Sequence, residues 1–98
     1  MPGWILRADG DPPIIIRILA GSTKSIGRTA RADFILDAAL VSRVHCRLTA
    51  DRSGQLIAED LDSTNGLQVN GARVERSALK SGDVLTIGRV DLAVELGD

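Results

Sequence analysis

From Leu92 to Leu96 apolar and other residues alternate, so that Leu92, Val94 and Leu96 share one side of an extended chain and Ala93 and Glu95 the other. Side chains on a strand alternate with a period of two, and this stretch therefore predicts a strand with one face that a core must cover. Short runs rich in Ile, Leu and Val recur upstream: Trp4 to Arg7, Ile14 to Leu19, Lys24 to Gly27, Phe34 to Ile35, His45 to Ala50, Leu56 to Asp60, Leu67 to Val69 and Val84 to Ile87. Clusters of Gly, Asp, Ser and Asn separate them, and Pro12-Pro13 punctuates the first connection. No segment reads as a helix. Short strands at regular spacing predict an all-β sandwich or barrel.

Asn70-Gly71 lies between two short extended runs, Leu67-Gln68-Val69 and Ala72-Arg73-Val74. Asn and Gly both tolerate positive φ, so the pair predicts a two-residue hairpin turn and has a sufficient architectural explanation. The chain's other asparagine also precedes a glycine, in Asn65-Gly66.

Size and charge narrow the function classes. A chain of 98 residues is expected to form a single domain over residues 1–98 and to bury roughly 60 to 70% of its unfolded surface without a staple. Its one cysteine, Cys46, cannot form an internal disulfide, and the start at Met1 lacks the basic and apolar segments of a signal peptide. The expected location is cytoplasmic. No apolar stretch approaches the ~20 residues needed to cross a bilayer, since Ile14-Ile15-Ile16 is broken by Arg17. Twelve basic residues against thirteen acidic ones provide no global field toward nucleic acid or an anionic membrane, so neither is an expected partner. With Trp4 and Phe34 as the only aromatics, no stacking platform for single-stranded nucleic acid is present.

Four polar islands remain to be explained: Gly27-Arg28, then Ser42-Arg43-Val44-His45, then Asp60-Leu61-Asp62-Ser63-Thr64-Asn65-Gly66, then Val69-Asn70-Gly71. In this order they closely resemble the pattern of forkhead-associated (FHA) domains, and Leu79 to Gly88, with its Gly82-Asp83 pair and final Ile87-Gly88, looks like that family's closing hairpin. The resemblance implies a β-sandwich of two mostly antiparallel sheets (SMAD/FHA-like) with binding loops at one end. It also implies a non-catalytic module that recognises phosphothreonine, in a partner protein or peptide or within its own parent protein, downstream of a Ser/Thr kinase and without a cofactor.

The residue chemistry is consistent with that implication. A phosphorylated side chain carries nearly two negative charges and three strong acceptor oxygens, so its receptor needs a planar donor fork, small hydroxyls and N–H groups. Arg28, Ser42 and Thr64 are of those types, and the resemblance makes them the phosphate-binding set. Arg28 follows Gly27 at a predicted strand end, where the glycine is expected to let the chain turn sharply; the plain alternative is a solvated arginine. By resemblance Asn65 and Arg43 contact the peptide backbone, although Asn65 could serve only as a positive-φ turn residue and Arg43 only as a solvated charge. Gly27, His45 and Gly66 are the expected structural supports. Ser63 is expected to stabilise its loop, and Asp60 and Asp62 to point away from a bound anion and fix the turn. Leu67, where the family often has a small hydroxyl residue, reads as core packing.

Three competing readings have less support. Ser42, His45 and Asp60 or Asp62 include the residue types of a hydrolase triad, yet no Gly-x-Ser-x-Gly elbow surrounds Ser42. Gly21-Ser22-Thr23-Lys24-Ser25 superficially suggests a nucleotide loop, but the earlier glycine is missing and a strand, not a helix, is predicted next. Cys46 shares a predicted strand face with Leu48 and reads as a small core residue. A phosphate-independent interaction or self-assembly module on the same fold is the remaining alternative. Finally, the apolar Ala38-Ala39-Leu40 cannot form a salt bridge, and so predicts preference for an uncharged or aliphatic residue near the third position after the phosphothreonine.

Overall fold

The computed structural model describes residues 3–97, so Met1, Pro2 and Asp98 of the expected domain lie outside the described residues. These residues form eleven strands: β1 (Gly3–Ala8), β2 (Ile14–Ile18), β3 (Thr23–Gly27), β4 (Phe34–Ile35), β5 (Cys46–Ala50), β6 (Leu56–Asp60), β7 (Leu67–Val69), β8 (Ala72–Val74), β9 (Arg76–Leu79), β10 (Val84–Ile87) and β11 (Val90–Gly97). There is no helix among them, hence none long and apolar enough to cross a membrane.

Two sheets face one another. One has the order β2-β1-β11-β10-β7-β8 and the other β4-β3-β5-β6-β9. Every pairing is antiparallel except β3 with β4. Register explains the core. Leu6 lies opposite Val94 on one side and Ile16 on the other, so the alternating apolar positions of three strands meet on one face. Leu48 lies opposite Lys24 and Ala58 in the second sheet, and Leu48 and Ala58 are both fully buried. Leu6, Ile18, Leu85, Ile87 and Leu92 from the first sheet pack with Ile26, Cys46, Leu48 and Leu56 from the second, all without solvent exposure. Burying each large aliphatic side chain contributes about 1.5–3 kcal/mol, which makes this interface the main source of stability. Trp4 adds a polar tie, its indole N–H donating to Gly54 O at 3.1 Å.

Three sequence expectations change. Leu92 and Val94 are buried, but Leu96 on the same face is 54% exposed, because it stands near the end of β11 where the core stops. β9 has no counterpart in the predicted strands: Arg76-Ser77-Ala78 shows no apolar alternation, and the strand exists because it pairs with β6, Leu79 opposite Leu56. Leu79 to Gly88 is not a hairpin. It crosses from β9 in one sheet to β10 in the other through a turn at Gly82, and the closing hairpin is β10–β11, with Ile87 opposite Val90. The Gly21 segment is a turn into β3, as predicted; the Gly21 N–H bonds to Ala50 O.

The Asn70-Gly71 hairpin forms as expected, both residues having positive φ (52° and 84°) between β7 and β8. Asn70 does more than turn the chain. Its backbone N–H donates to Val84 O, its Oδ1 accepts the Val84 N–H, and its Nδ2 donates to Asp83, so the side chain extends the β7–β10 pairing past the last strand residue.

Candidate functional site

At one end of the sandwich the segments after β3, β4 and β6 converge, and the β3 terminus determines how closely. Gly27 is buried with ordinary φ, and a Cβ there would stand 2.2 Å from Arg43 O and 2.7 Å from Val44 Cα. The glycine therefore serves close approach of the 36–45 segment, not the sharp turn expected from sequence. That approach lets the Arg28 N–H reach Ser42 O at 2.9 Å, Thr29 N–H and Oγ1–H reach Arg43 O, and Leu36 N–H reach Gly27 O at 2.7 Å. Leu36 and Val41, both buried, anchor the same segment to the core.

Arg28 is fixed on its inner side. Its Nε–H donates to Val41 O at 3.0 Å, and its terminal amino groups make no bond among the described residues. A guanidinium so oriented presents a planar pair of donors outward, the geometry that suits a phosphate or carboxylate.

His45 joins the second segment to the third. It is fully buried, and its Nδ1 accepts the Ser42 backbone N–H at 3.0 Å while Nε2 lies 2.7 Å from Gly66 O. Because Ser42 N–H must donate, Nδ1 carries no proton, and because Gly66 O must accept, Nε2 does. The ring is thus a neutral brace between two loops. Both nitrogens are occupied by backbone groups, so neither faces Ser42 Oγ as a general base, which removes the hydrolase reading.

Ser42 Oγ accepts the Thr64 N–H at 3.1 Å, leaving its own hydrogen available. The Thr64 side chain is exposed and bonds to nothing among the described residues. Asn65 Nδ2 donates to Leu40 O at 3.1 Å, leaving its second amide hydrogen and its Oδ1. The positive φ in this loop belongs to Gly66 and Asp62, not to Asn65, so the turn-only account of that asparagine fails. Ser63 holds the loop as expected: its hydroxyl donates to Asp60 Oδ1 and accepts the Gly66 N–H. Asp60 is thereby turned inward.

These groups line a single open cleft of about 520 Å³, formed by Arg28, Leu40, Val41, Ser42, Arg43, Val44, Asp62, Thr64 and Asn65. All five residues predicted to contact a ligand are present in it, while Gly27, His45 and Gly66 stand behind as supports. Asp62 departs from expectation, since it lines the cleft instead of pointing away. The left-handed backbone of Leu40, at φ 69°, and the bonds by which Thr29 anchors Arg43 carried no signal in the sequence. Arg73 was also silent: its guanidinium lies over Gly66, where an added Cβ would come within 2.7 Å of Nε. Cys46 is inert, because burial, with the Asp60 charge adding to it, pushes its thiol up to about 12.

Comparison with known proteins agrees with this architecture. Over 67 residues, 68% of this chain, the sequence is 45% identical to the ABC transporter ATP-binding/permease protein Rv1747 of Mycobacterium tuberculosis, of whose length the match spans 8%. A solved structure from a study of phosphothreonine-dependent FHA domain interactions superposes with a TM-score of 0.87 at 31% identity, covering 98% of both chains. The FHA domain of FhaA, solved in complex with the intracellular domain of Rv3910, superposes with a TM-score of 0.84 at 33% identity over 94% of this chain and 99% of that one. The FHA domain model matches residues 24–88, from the first residues of β3 to the turn that closes β10, and the chain belongs to the FHA domain family.

Proposed function

We propose that residues 1–98 act as a single non-catalytic domain that binds phosphothreonine peptides, with Arg28, Ser42 and Thr64 holding the phosphate and Asn65 and Arg43 the peptide backbone. One observation carries the reading: three donor side chains of the types a phosphate needs, from three separate loops, line one open cleft braced by a buried histidine. The similar structure named for phosphothreonine-dependent interactions supports the choice of ligand. The partner is a phosphoprotein in the cytoplasm, or a phosphorylated segment of a parent protein, modified by a Ser/Thr kinase.

Fluorescence polarisation with a degenerate phosphothreonine peptide pool tests this, with phosphoserine and unphosphorylated pools as controls. Arg28→Ala should remove charge-assisted bonds worth about 1.5–3 kcal/mol, a loss of roughly ten- to a hundredfold in affinity. The second phosphate ionisation lies near ~6, so wild-type affinity should weaken as pH falls below that value. Equal binding of phosphorylated and unphosphorylated pools, unaffected by Arg28→Ala in a folded protein, would replace the reading with phosphate-independent association.

A further inference from the structure

Resting on the phosphothreonine reading of the cleft, we infer that Asp62 selects phosphopeptides with a lysine or arginine close to the phosphothreonine. Asp62 is exposed, occupies a left-handed conformation at φ 57° immediately before Ser63, and lines the same cleft as Arg28, Arg43 and Thr64.

Its carboxylate differs from those that brace other turns, and unlike Asp9, Asp11 and Asp37, equally unbonded among the described residues, it belongs to a residue that lines the cleft. Asp60 accepts from Ser63, Asp33 from Ser25, Asp51 from Ser53 and Gln55, and Asp83 from Asn70 and Lys80. Those acids build turns with their side chains. Asp62 accepts no hydrogen bond and makes no ion pair with Arg28 or Arg43 among the described residues. Among the described residues it is the one acidic residue lining the cleft.

An unpaired carboxylate beside a site for a dianion opposes the phosphate by like-charge repulsion. A cation on the peptide reverses that effect, since it meets Asp62 directly and leaves the phosphate to Arg28. The cleft thus has a positive part and a negative part, and it matches a ligand carrying both charges.

The test scans Lys, Ala and Glu through about four positions on either side of the phosphothreonine, measuring binding to wild type and Asp62→Asn at low and high salt. Asn tolerates the left-handed backbone at least as well as Asp, so the variant removes charge without disturbing the fold. Wild type should bind a Lys peptide roughly two- to fivefold more tightly than its Ala counterpart at one or two positions, as exposed pairs do, with Glu weaker and the contrast reduced by salt. Asp62→Asn should bring the Lys/Ala ratio close to one and bind the Ala peptide more tightly than wild type does. Phosphate-dependent, Arg28-dependent binding with a flat Lys/Ala/Glu profile, or a Lys preference that survives Asp62→Asn, would overturn the inference alone. Loss of phosphate dependence altogether, with Arg28→Ala neutral, would overturn the site reading beneath it.

Discussion

Ser42 donates its backbone N–H, not its hydroxyl, to Nδ1 of His45, at 3.0 Å. The bond points the histidine away from catalysis and makes it a brace, because the opposite nitrogen then supports Gly66 O at 2.7 Å. Removing the ring leaves two backbone groups without partners and a void in a fully buried site. His45→Ala should therefore cost about 2–5 kcal/mol in urea unfolding and weaken phosphopeptide binding beyond what that instability explains. Nitrogen-15 NMR of the wild type offers a direct check on the brace: it should show a protonated Nε2 and an unprotonated Nδ1. The reverse tautomer would rule out this arrangement.

Gly27 tests whether close approach of the loops matters more than their composition. A methyl group at this position would lie 2.2 Å from Arg43 O, a backbone atom that cannot swing aside, so Gly27→Ala must push the 40–44 segment outward. The bonds from Arg28 N–H to Ser42 O and from Thr29 N–H to Arg43 O would lengthen together. The expected cost is about 1–3 kcal/mol in stability with near-complete loss of binding, although no side chain proposed to contact the ligand has changed. Gly54→Ala is the control: φ is 93° there but nothing lies within 4 Å of the added carbon, so it should cost about 1 kcal/mol of backbone strain and leave affinity unchanged. Similar binding by both variants would refute the steric account.

The sequence made legible those features that depend on local pattern. Nine predicted strands coincide with observed ones because each carries its own apolar run or bounding turn, and the Asn70-Gly71 hairpin follows from the φ values those residues accept. The residues that line the cleft were legible through their order along the chain. What escaped was set by contact across the fold. β9 depends on pairing with β6, Leu96 is exposed because of where the opposing core ends, and Gly27 is required by the distant Arg43 carbonyl. Asp62 was misread because its residue type suggests a turn-builder, while its orientation depends on how the 61–66 loop folds over Ser63.

Acid should destabilise the domain through its turns. Asp83 is held below its ordinary value by the Asn70 side chain and then the Lys80 N–H; Asp33 by the Ser25 N–H and then its hydroxyl; Asp51 by the Ser53 hydroxyl and then the Gln55 N–H. A carboxyl lowered in the folded state binds its proton more readily when unfolded, so stability is fully present above the unfolded value near 3.8 and is lost as pH falls through the lowered folded values. The contribution of these carboxylates should be constant from pH 7 to about 5, and denaturant midpoints should fall steeply below about 4 as it is lost. Asp83→Asn should lower stability at pH 7 and make the acid decline shallower. An unchanged slope in that variant would mean that Asp83 does not contribute.

Leu40 separates stability from selectivity. Its backbone is held at φ 69° between the Asn65 amide, which donates to its carbonyl, and the turn at Gly88, where an added Cβ would stand 3.0 Å from Leu40 O. A left-handed conformation costs a branched residue about 1–2 kcal/mol, and asparagine less. The side chain is 45% exposed, so replacement gives up only part of a leucine's burial. Leu40→Asn should therefore leave thermal stability unchanged or raise it by up to ~1 kcal/mol. In the cleft the same change exchanges apolar surface for an amide, and preference for an aliphatic residue near the third position after the phosphothreonine should fall accordingly in an oriented peptide library. If wild type selected Asp or Glu there, the apolar loop would not set specificity. A strongly destabilised Leu40→Asn would instead show that the leucine is kept for packing, with its contacts outweighing the strain of its backbone.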